Sequence, residues 1–244
     1  MTAVPPLRLR LRYTKNGKIR FTSHRDTARI WERALRRCEL PLAYTKGFSP
    51  RPKMHFGLAL RTGFSSECEY LDINLESGST VDFDDLVHRL SEALPIGLDV
   101  VRIAPTPAIS AVSLQEAVTA CRWKVDIAEM SPESAGETVE KLLAADKLEV
   151  TRFRKGREKT YDMRPTLLAL ETAEPEHDRS SRLIFELGTQ PRGFRPDELL
   201  AALDEDLVPM YVCRTHQWID NDGIRSEPLT AVPSPAATDK VAAA

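Results

Sequence analysis

The residues best suited to chemistry crowd into one stretch of the chain, Leu42 to Gly57, which reads LAYTKGFSPRPKMHFG. Lys46, Arg51, Lys53 and His55 supply positive or protonatable groups there, and Tyr44, Phe48 and Phe56 supply aromatic faces. Pro50 and Pro52 fix their own φ and disfavour helix at Ser49 and Arg51, so the cations sit on a stiff irregular turn. Stiffness lowers the entropy lost when a ligand is gripped. Cations interleaved with aromatics suit phosphates and stacked bases. The same stretch also fits a structural turn, with Phe56 simply a core residue of a strand.

Two further basic elements accompany it. Arg25, Arg29, Arg33 and Arg36 or Arg37 recur about once per turn on one helix, where Asp26 and Glu32 can neutralise some of them. The row reads either as phosphate contacts or as a solvated helix face. The run Arg152–Lys159 carries Gly156 at its centre, a hairpin tip that would present Arg154, Lys155 and Arg157. A loop at 190–196, Gln-Pro-Arg-Gly-Phe-Arg-Pro, repeats the Gly, Pro, Phe and Arg mixture of the first stretch. These elements belong to a wider asymmetry. The first 62 residues hold fifteen Lys and Arg against three acids, yet the chain as a whole has a formal net charge of -2. An anionic partner would relieve the self-repulsion of such a segment, and so would acids from the rest of the chain.

Catalytic and metal-binding patterns are missing. The cysteines at 38, 68, 121 and 213 form no C-x-x-C pair, which predicts reduced and mostly buried thiols. The five histidines show no ligand spacing, and phosphate-loop, dinucleotide and nucleophile-elbow motifs are absent. No metal and no cofactor are expected. Asp72 and Asp126 lie in predicted strands, where an acid paired with an arginine is the commoner case. No run of eighteen apolar residues exists and the first residues do not read as a signal peptide, so a cytosolic protein with no membrane partner is expected.

The elements that must position these groups follow from periodicity. Leu7–Tyr13 alternates apolar and basic residues as a strand, Asn16-Gly17 reads as a hairpin-type turn, and Ile19–Phe21 continues as a strand. Ser23 and Asp26 cap a helix that runs to about Cys38. Strands over 54–60 and 69–75, a helix over 84–94 and a strand over 98–103 complete β-α-β-β-α-β. The second half reads as the same plan. It has strands over 120–127, 148–153, 163–170, 183–187 and 208–212, the last extending towards 218, and helices over 132–145 and 197–203. The expected fold class is α+β, with two ferredoxin-like units in tandem over 7–104 and 117–218 and a disordered tail over 226–244.

The strings KIRFTSHRD (18–26), WERALRR (31–37), LPLAY (40–44), KGFSPRPK (46–53), EYLD (69–72) and DMRP (162–165) resemble the radical-SAM-linked family, a bacterial domain of unknown function, over roughly residues 7–215. The resemblance implies a radical SAM protein as partner. The chain itself lacks the C-x-x-x-C-x-x-C run that would hold such an enzyme's cluster. The layout over 90–127 is similar to the midsection of transfer-RNA pseudouridine synthases, which are built from two ferredoxin-like units around an RNA cleft. The loop that should carry their catalytic Asp, near 47–57, contains none. The combined expectation is an RNA-binding accessory protein for tRNA or rRNA, itself non-catalytic, that presents substrate to a radical SAM enzyme. Arg25, Arg29, Arg33, Lys46, Arg51, Lys53, His55, Arg154, Lys155 and Arg157 would hold phosphates, and Tyr44 and Phe48 would stack. The alternatives are a subunit that docks on the radical SAM enzyme without RNA, and a divergent RNA-modifying enzyme using an acid such as Asp72.

Overall fold

The structure is a computed structural model that describes residues 7–106, 113–154, 156–175, 180–203, 207 and 209–229. Strand β1 (Arg8–Lys15) shows how the sequence pattern becomes a two-faced element. Leu9, Leu11 and Tyr13 are buried on one face, while Arg8, Arg10 and Arg12 project from the other. The predicted hairpin strand at 19–21 does not form. Gly17 takes a left-handed φ of 64° and Gly17–Phe21 winds into a 3-10 turn, closed by the Thr22 amide on the Ile19 carbonyl. The chain is thereby delivered to helix α1 (His24–Arg37) rather than to a second strand. Ser23 caps α1 by accepting from the Asp26 amide, and its hydroxyl donates to the Asp26 carboxylate. Trp31, Ala34 and Leu35 form the buried stripe.

Three strands and a helix complete the first half: β2 (Met54–Phe56), β3 (Ser65–Asn74), α2 (Phe83–Ala93) and β4 (Val100–Thr106). The second half comprises a short α3 (Leu114–Ala117), β5 (Val118–Ala128), α4 (Pro132–Ala144), β6 (Glu149–Arg154), β7 (Arg157–Asp162), β8 (Leu167–Ala173), β9 (Ser180–Gly188), α5 (Pro196–Leu203), β10 (Pro209–Asn221) and β11 (Ile224–Ser226). Among the described residues nine strands make one mixed sheet in the order β4-β1-β3-β10-β5-β9-β8, with β2 paired to β3 and β11 to β10. One expectation needs correction here. The strand at 149–154 does not enter the sheet but pairs only with β7, as a separate hairpin standing outside it. Its polar, charged sequence has no apolar face long enough to bury on both sides of a sheet interior.

The second edge of β3 is split. Leu71–Ile73 pairs antiparallel with β2, whereas Ser65 and Ser66 pair in parallel with Cys213 and Arg214 of β10. Between them the β3 backbone has no strand neighbour on that side, and its carbonyls are satisfied individually: the Gly57 amide donates to Tyr70 O and the Gln217 side chain donates to Cys68 O. The two halves therefore meet at a short parallel seam beside an opening in the sheet. Each half keeps its own core, one around Trp31, Leu9, Leu71 and Leu86, the other around Trp123, Phe185, Leu183 and Leu199. All four cysteines are unpaired and buried.

Residues 226–229, expected to open a disordered tail, are ordered against the sheet. Ser226 lies in β11, Arg12 donates to the Glu227 carboxylate, Arg10 donates to the Pro228 carbonyl, and Leu229 is buried. Residues 230–244 lie outside the described residues. Gly97 marks a second place where backbone geometry decides the residue. Its φ is 94°, it accepts the Asn16 amide, and a Cβ there would stand 2.3 Å from the Asn16 carbonyl oxygen. Gly97→Ala is expected to cost at least about 2 kcal/mol, read as a lowered midpoint in urea unfolding. An unchanged midpoint would mean that the 16/97 contact is not part of the native state.

Candidate nucleic-acid interface

The basic stretch of the first half is a clamped loop. Ala43 and Lys53 hydrogen-bond each other and both bond Asn74, Tyr44 bridges Pro52, and the Thr45 amide donates to Arg51 O while the Arg51 amide donates to Thr45 Oγ1. The rungs hold the base, so Lys46 to Pro50 form a projecting tip. Gly47 at φ 139° supplies the turn there. Phe48 stands fully in solvent, Tyr44 is exposed, and so are Lys46, Arg51, Lys53 and His55. An exposed Phe at the tip of a stiff loop has no packing explanation. Phe56, by contrast, is half-buried and meets the His24 ring edge-on at 5.0 Å, which ties the start of α1 to β2.

On α1, Arg25, Arg29 and Arg33 are exposed. Arg29 pairs with Asp26 at 3.4 Å, an exposed i,i+3 contact of little energetic weight. Among the described residues no carboxylate lies within ion-pair distance of Arg25, Arg33, Arg36, Lys46, Arg51 or Lys53. Four other arginines of the basic segment behave differently. Arg8 and Arg10 both grip Asp72, Arg12 holds Glu227, and Arg61 holds Asp197. Acids from later in the chain thus neutralise Arg8, Arg10, Arg12 and Arg61 and leave Arg25, Arg33 and Arg36 of α1 and the cations of the loop without an acidic partner among the described residues.

The β6–β7 hairpin belongs to the second half and leans on α5 and the 190–196 loop. Arg152 donates to both carboxylate oxygens of Glu198 at 2.6 Å and to Gly193 O at 3.0 Å, and lies 4.8 Å over the Phe194 ring. Arg164 braces the far side by donating to Ala145 O and Leu143 O. The backbone register pairs Arg152 with Lys159, Phe153 with Glu158 and Arg154 with Arg157, so basic residues oppose each other in register on two alternate rungs. Lys155, a predicted contact, lies outside the described residues. The sequence reading missed what the fold adds here. Arg192 stacks 4.0 Å over the Tyr161 ring, Lys159 approaches the same ring at 5.2 Å, and Arg195 completes an open pocket of about 560 Å³ with Arg157. Among its described lining residues only Glu198 is acidic, and Arg152 already occupies that carboxylate. The one signal for this convergence was the compositional echo between 190–196 and the first loop.

A second pocket, of about 260 Å³, opens at the seam between the halves. Trp123, Phe64, Phe194, Leu58 and Leu187 line it, and Arg214 forms part of its wall. Arg214 is buried and donates from Nε and Nη2 to Glu69 (3.1 and 2.6 Å) and from Nη2 to Leu58 O (2.9 Å). Burial by itself would lower the Arg214 pKa, but the Glu69 carboxylate reverses that and holds it above its ordinary value. Burial likewise pushes the Cys121 thiol, also in the pocket, up to about 11, so it is an inert thiol at neutral pH.

The strand acids are spoken for. Asp72 is fully buried on the opposite face of β3 from Glu69, bound by Arg8 and Arg10 at 2.7–2.8 Å. Asp126 is held by Arg182 at 2.6 and 2.8 Å. Neither faces the pocket, which removes Asp72 as the acid of a modifying enzyme. Among the described residues no group of three His, Cys, Asp or Glu could hold a metal ion, and no helix is long and apolar enough to cross a membrane.

Fold and site together define a mixed α+β protein with a nine-stranded sheet and cationic, aromatic-bearing hairpins on both halves. The chain belongs to the DUF2344 family, described as uncharacterized proteins conserved in bacteria, which it matches over residues 8–205. No curated protein matches its sequence. A solved structure, the crystal structure of a Cbf5-Nop10-Gar1 complex, is similar at 11% identity and a TM-score of 0.46 over 86% of this chain and 48% of that one. The chain thus spans about half the length of the chain it matches, and a likeness at that level carries no functional information.

Proposed function

We propose that the protein binds RNA through the 44–53 loop, the arginine face of α1 and the β6–β7 hairpin, and acts as an accessory without chemistry of its own. One observation carries the reading. Later acids of the chain pair with Arg8, Arg10, Arg12 and Arg61, whereas among the described residues Arg25, Arg33, Arg36, Lys46, Arg51 and Lys53 have no acidic partner, beside exposed Phe48 and Tyr44. Backbone phosphates satisfy such cations, and bases stack on such rings. We read each half as a ferredoxin-like unit, 7–104 and 117–218, because each arranges its main strands in the order fourth, first, third, second: β4-β1-β3-β2 and β10-β5-β9-β8. In that reading the β6–β7 hairpin is an insertion of the second unit. The resemblance of the 18–53 segment to the radical-SAM-linked family supports a radical SAM enzyme as the partner that modifies the bound RNA, in the cytosol.

The test is the salt dependence of binding to a short single-stranded RNA. With four to six phosphates engaged, log Kd should change with log salt with a slope of about 3–4 in magnitude. No binding at 50 mM salt would sink the RNA reading. A radical SAM protein that co-purifies after nuclease treatment, without RNA affinity of the isolated chain, would make this a protein-docking subunit instead.

A further inference from the structure

The cationic pocket of the hairpin and the apolar pocket at the seam are neighbours. Gly193 and Arg195 line both, so a single stretch of the 190–196 loop separates an apolar, aromatic cavity from a cationic one. The apolar cavity is about 260 Å³, below the roughly 300–1,000 Å³ of drug-sized sites and suited to one ring system. Trp123, Phe64 and Phe194 offer ring faces or edges, while the Arg61 and Arg195 side chains supply donors. The cationic pocket beside it holds Arg157, Lys159, Arg192 and Arg195, for which no ion-pair partner exists among the described residues. An apolar compartment for a ring joined to a compartment for two or more negative charges is the shape of one ligand class, a base attached to phosphates.

We propose that the two pockets form one nucleotide site. The base enters the cavity walled by Trp123, Phe64 and Phe194, and the phosphates on either side of its sugar lie among Arg157, Lys159, Arg192 and Arg195. The site deepens the RNA reading and rests on it for the source of the nucleotide, a residue within a strand. Loop 190–196 is then the shared wall that fixes base and phosphate relative to each other. The bidentate Arg152–Glu198 pair is the brace that holds this wall against the hairpin, through the Arg152 bond to Gly193 O.

The experiment compares four ligands on the full chain: a pentauridylate, the same oligomer with one central abasic residue, free UTP and inorganic triphosphate. The abasic oligomer should bind about tenfold more weakly than the intact one, the loss expected for one enclosed base. Ala59, which is exposed and lines the apolar pocket, provides the blocking variant. Ala59→Trp should abolish the difference between intact and abasic oligomers while leaving the abasic affinity unchanged. Arg157→Glu/Arg192→Glu should weaken both oligomers alike. Equal binding of the intact and abasic oligomers by the wild-type chain would overturn the base pocket even though RNA binding itself survived. Tight, base-dependent binding of UTP over triphosphate, with no gain for the strand, would overturn the strand as the source. If no oligomer binds at low salt the RNA reading fails separately, and equal affinities for UTP and triphosphate would then overturn the nucleotide site as well.

Discussion

Glu69→Leu is expected to destabilise the protein by about 3–5 kcal/mol, because it leaves the buried Arg214 guanidinium without its counter-charge. Arg214 sits on β10, Glu69 on β3, and the two strands share only a two-residue parallel seam at Ser65–Ser66 and Cys213–Arg214. The ion pair therefore crosses the junction of the two halves at its weakest backbone connection. Arg214 also donates to Leu58 O, which anchors the loop between β2 and β3 over the seam. Arg214→Met should cost a similar amount, since it strands the Glu69 carboxylate. The double variant Glu69→Leu/Arg214→Met should cost clearly less than the sum, with a coupling of about 2–3 kcal/mol. Urea unfolding of the four proteins measures this directly. Additive losses would show that the pair is not a coupled unit. A biphasic transition in the single variants would show that the halves uncouple before either core melts.

The second large effect concerns binding. Arg51→Glu/Lys53→Glu should lower affinity for single-stranded RNA by at least about 2 kcal/mol, or about 30-fold, at 0.1 M salt, since two charges change sign beside a phosphate chain. The salt slope should fall by about 1–2 as two phosphate contacts are lost. Both side chains are exposed, and the rungs that hold the loop use backbone atoms and Thr45, so the fold should be unaffected. Phe48→Ala supplies the complementary test. It should cost about 1–3 kcal/mol without altering the salt slope, as expected for stacking rather than ion release. Unchanged affinity in the double reversal would move the RNA contact away from this loop, whatever the hairpin of the second half does.

Much of the architecture is legible in the sequence. The Leu-Arg alternation of β1, the Ser23 cap and the Trp31, Ala34, Leu35 stripe are local signals, and the structure places them where periodicity predicts. The errors are equally instructive. Ile19–Phe21 alternates like a strand but has no strand to pair with, so the chain takes a 3-10 turn instead. The strand at 149–154 is real, yet nothing in its residues states that its only neighbour is β7. Pairing is a non-local choice, made by the register of all nine strands of the sheet together.

The same division holds for the site. The sequence by itself determined the stiff basic loop at 44–53, the arginine spacing of α1 and the lack of any catalytic or metal motif, because these depend on residues close in the chain. Only the tertiary structure decided which cations are free. Arg8, Arg10 and Asp72 meet across a strand pair, Arg12 meets Glu227, and Arg61 meets Asp197, so neutralisation runs between residues 62 to 215 positions apart. Only the tertiary structure brought the 190–196 loop against the hairpin and opened the aromatic cavity beside it. The physical reason is range. Capping, turn stiffness and helical spacing act over a few residues, whereas ion pairing and cavity formation depend on distances in space that no stretch of sequence states.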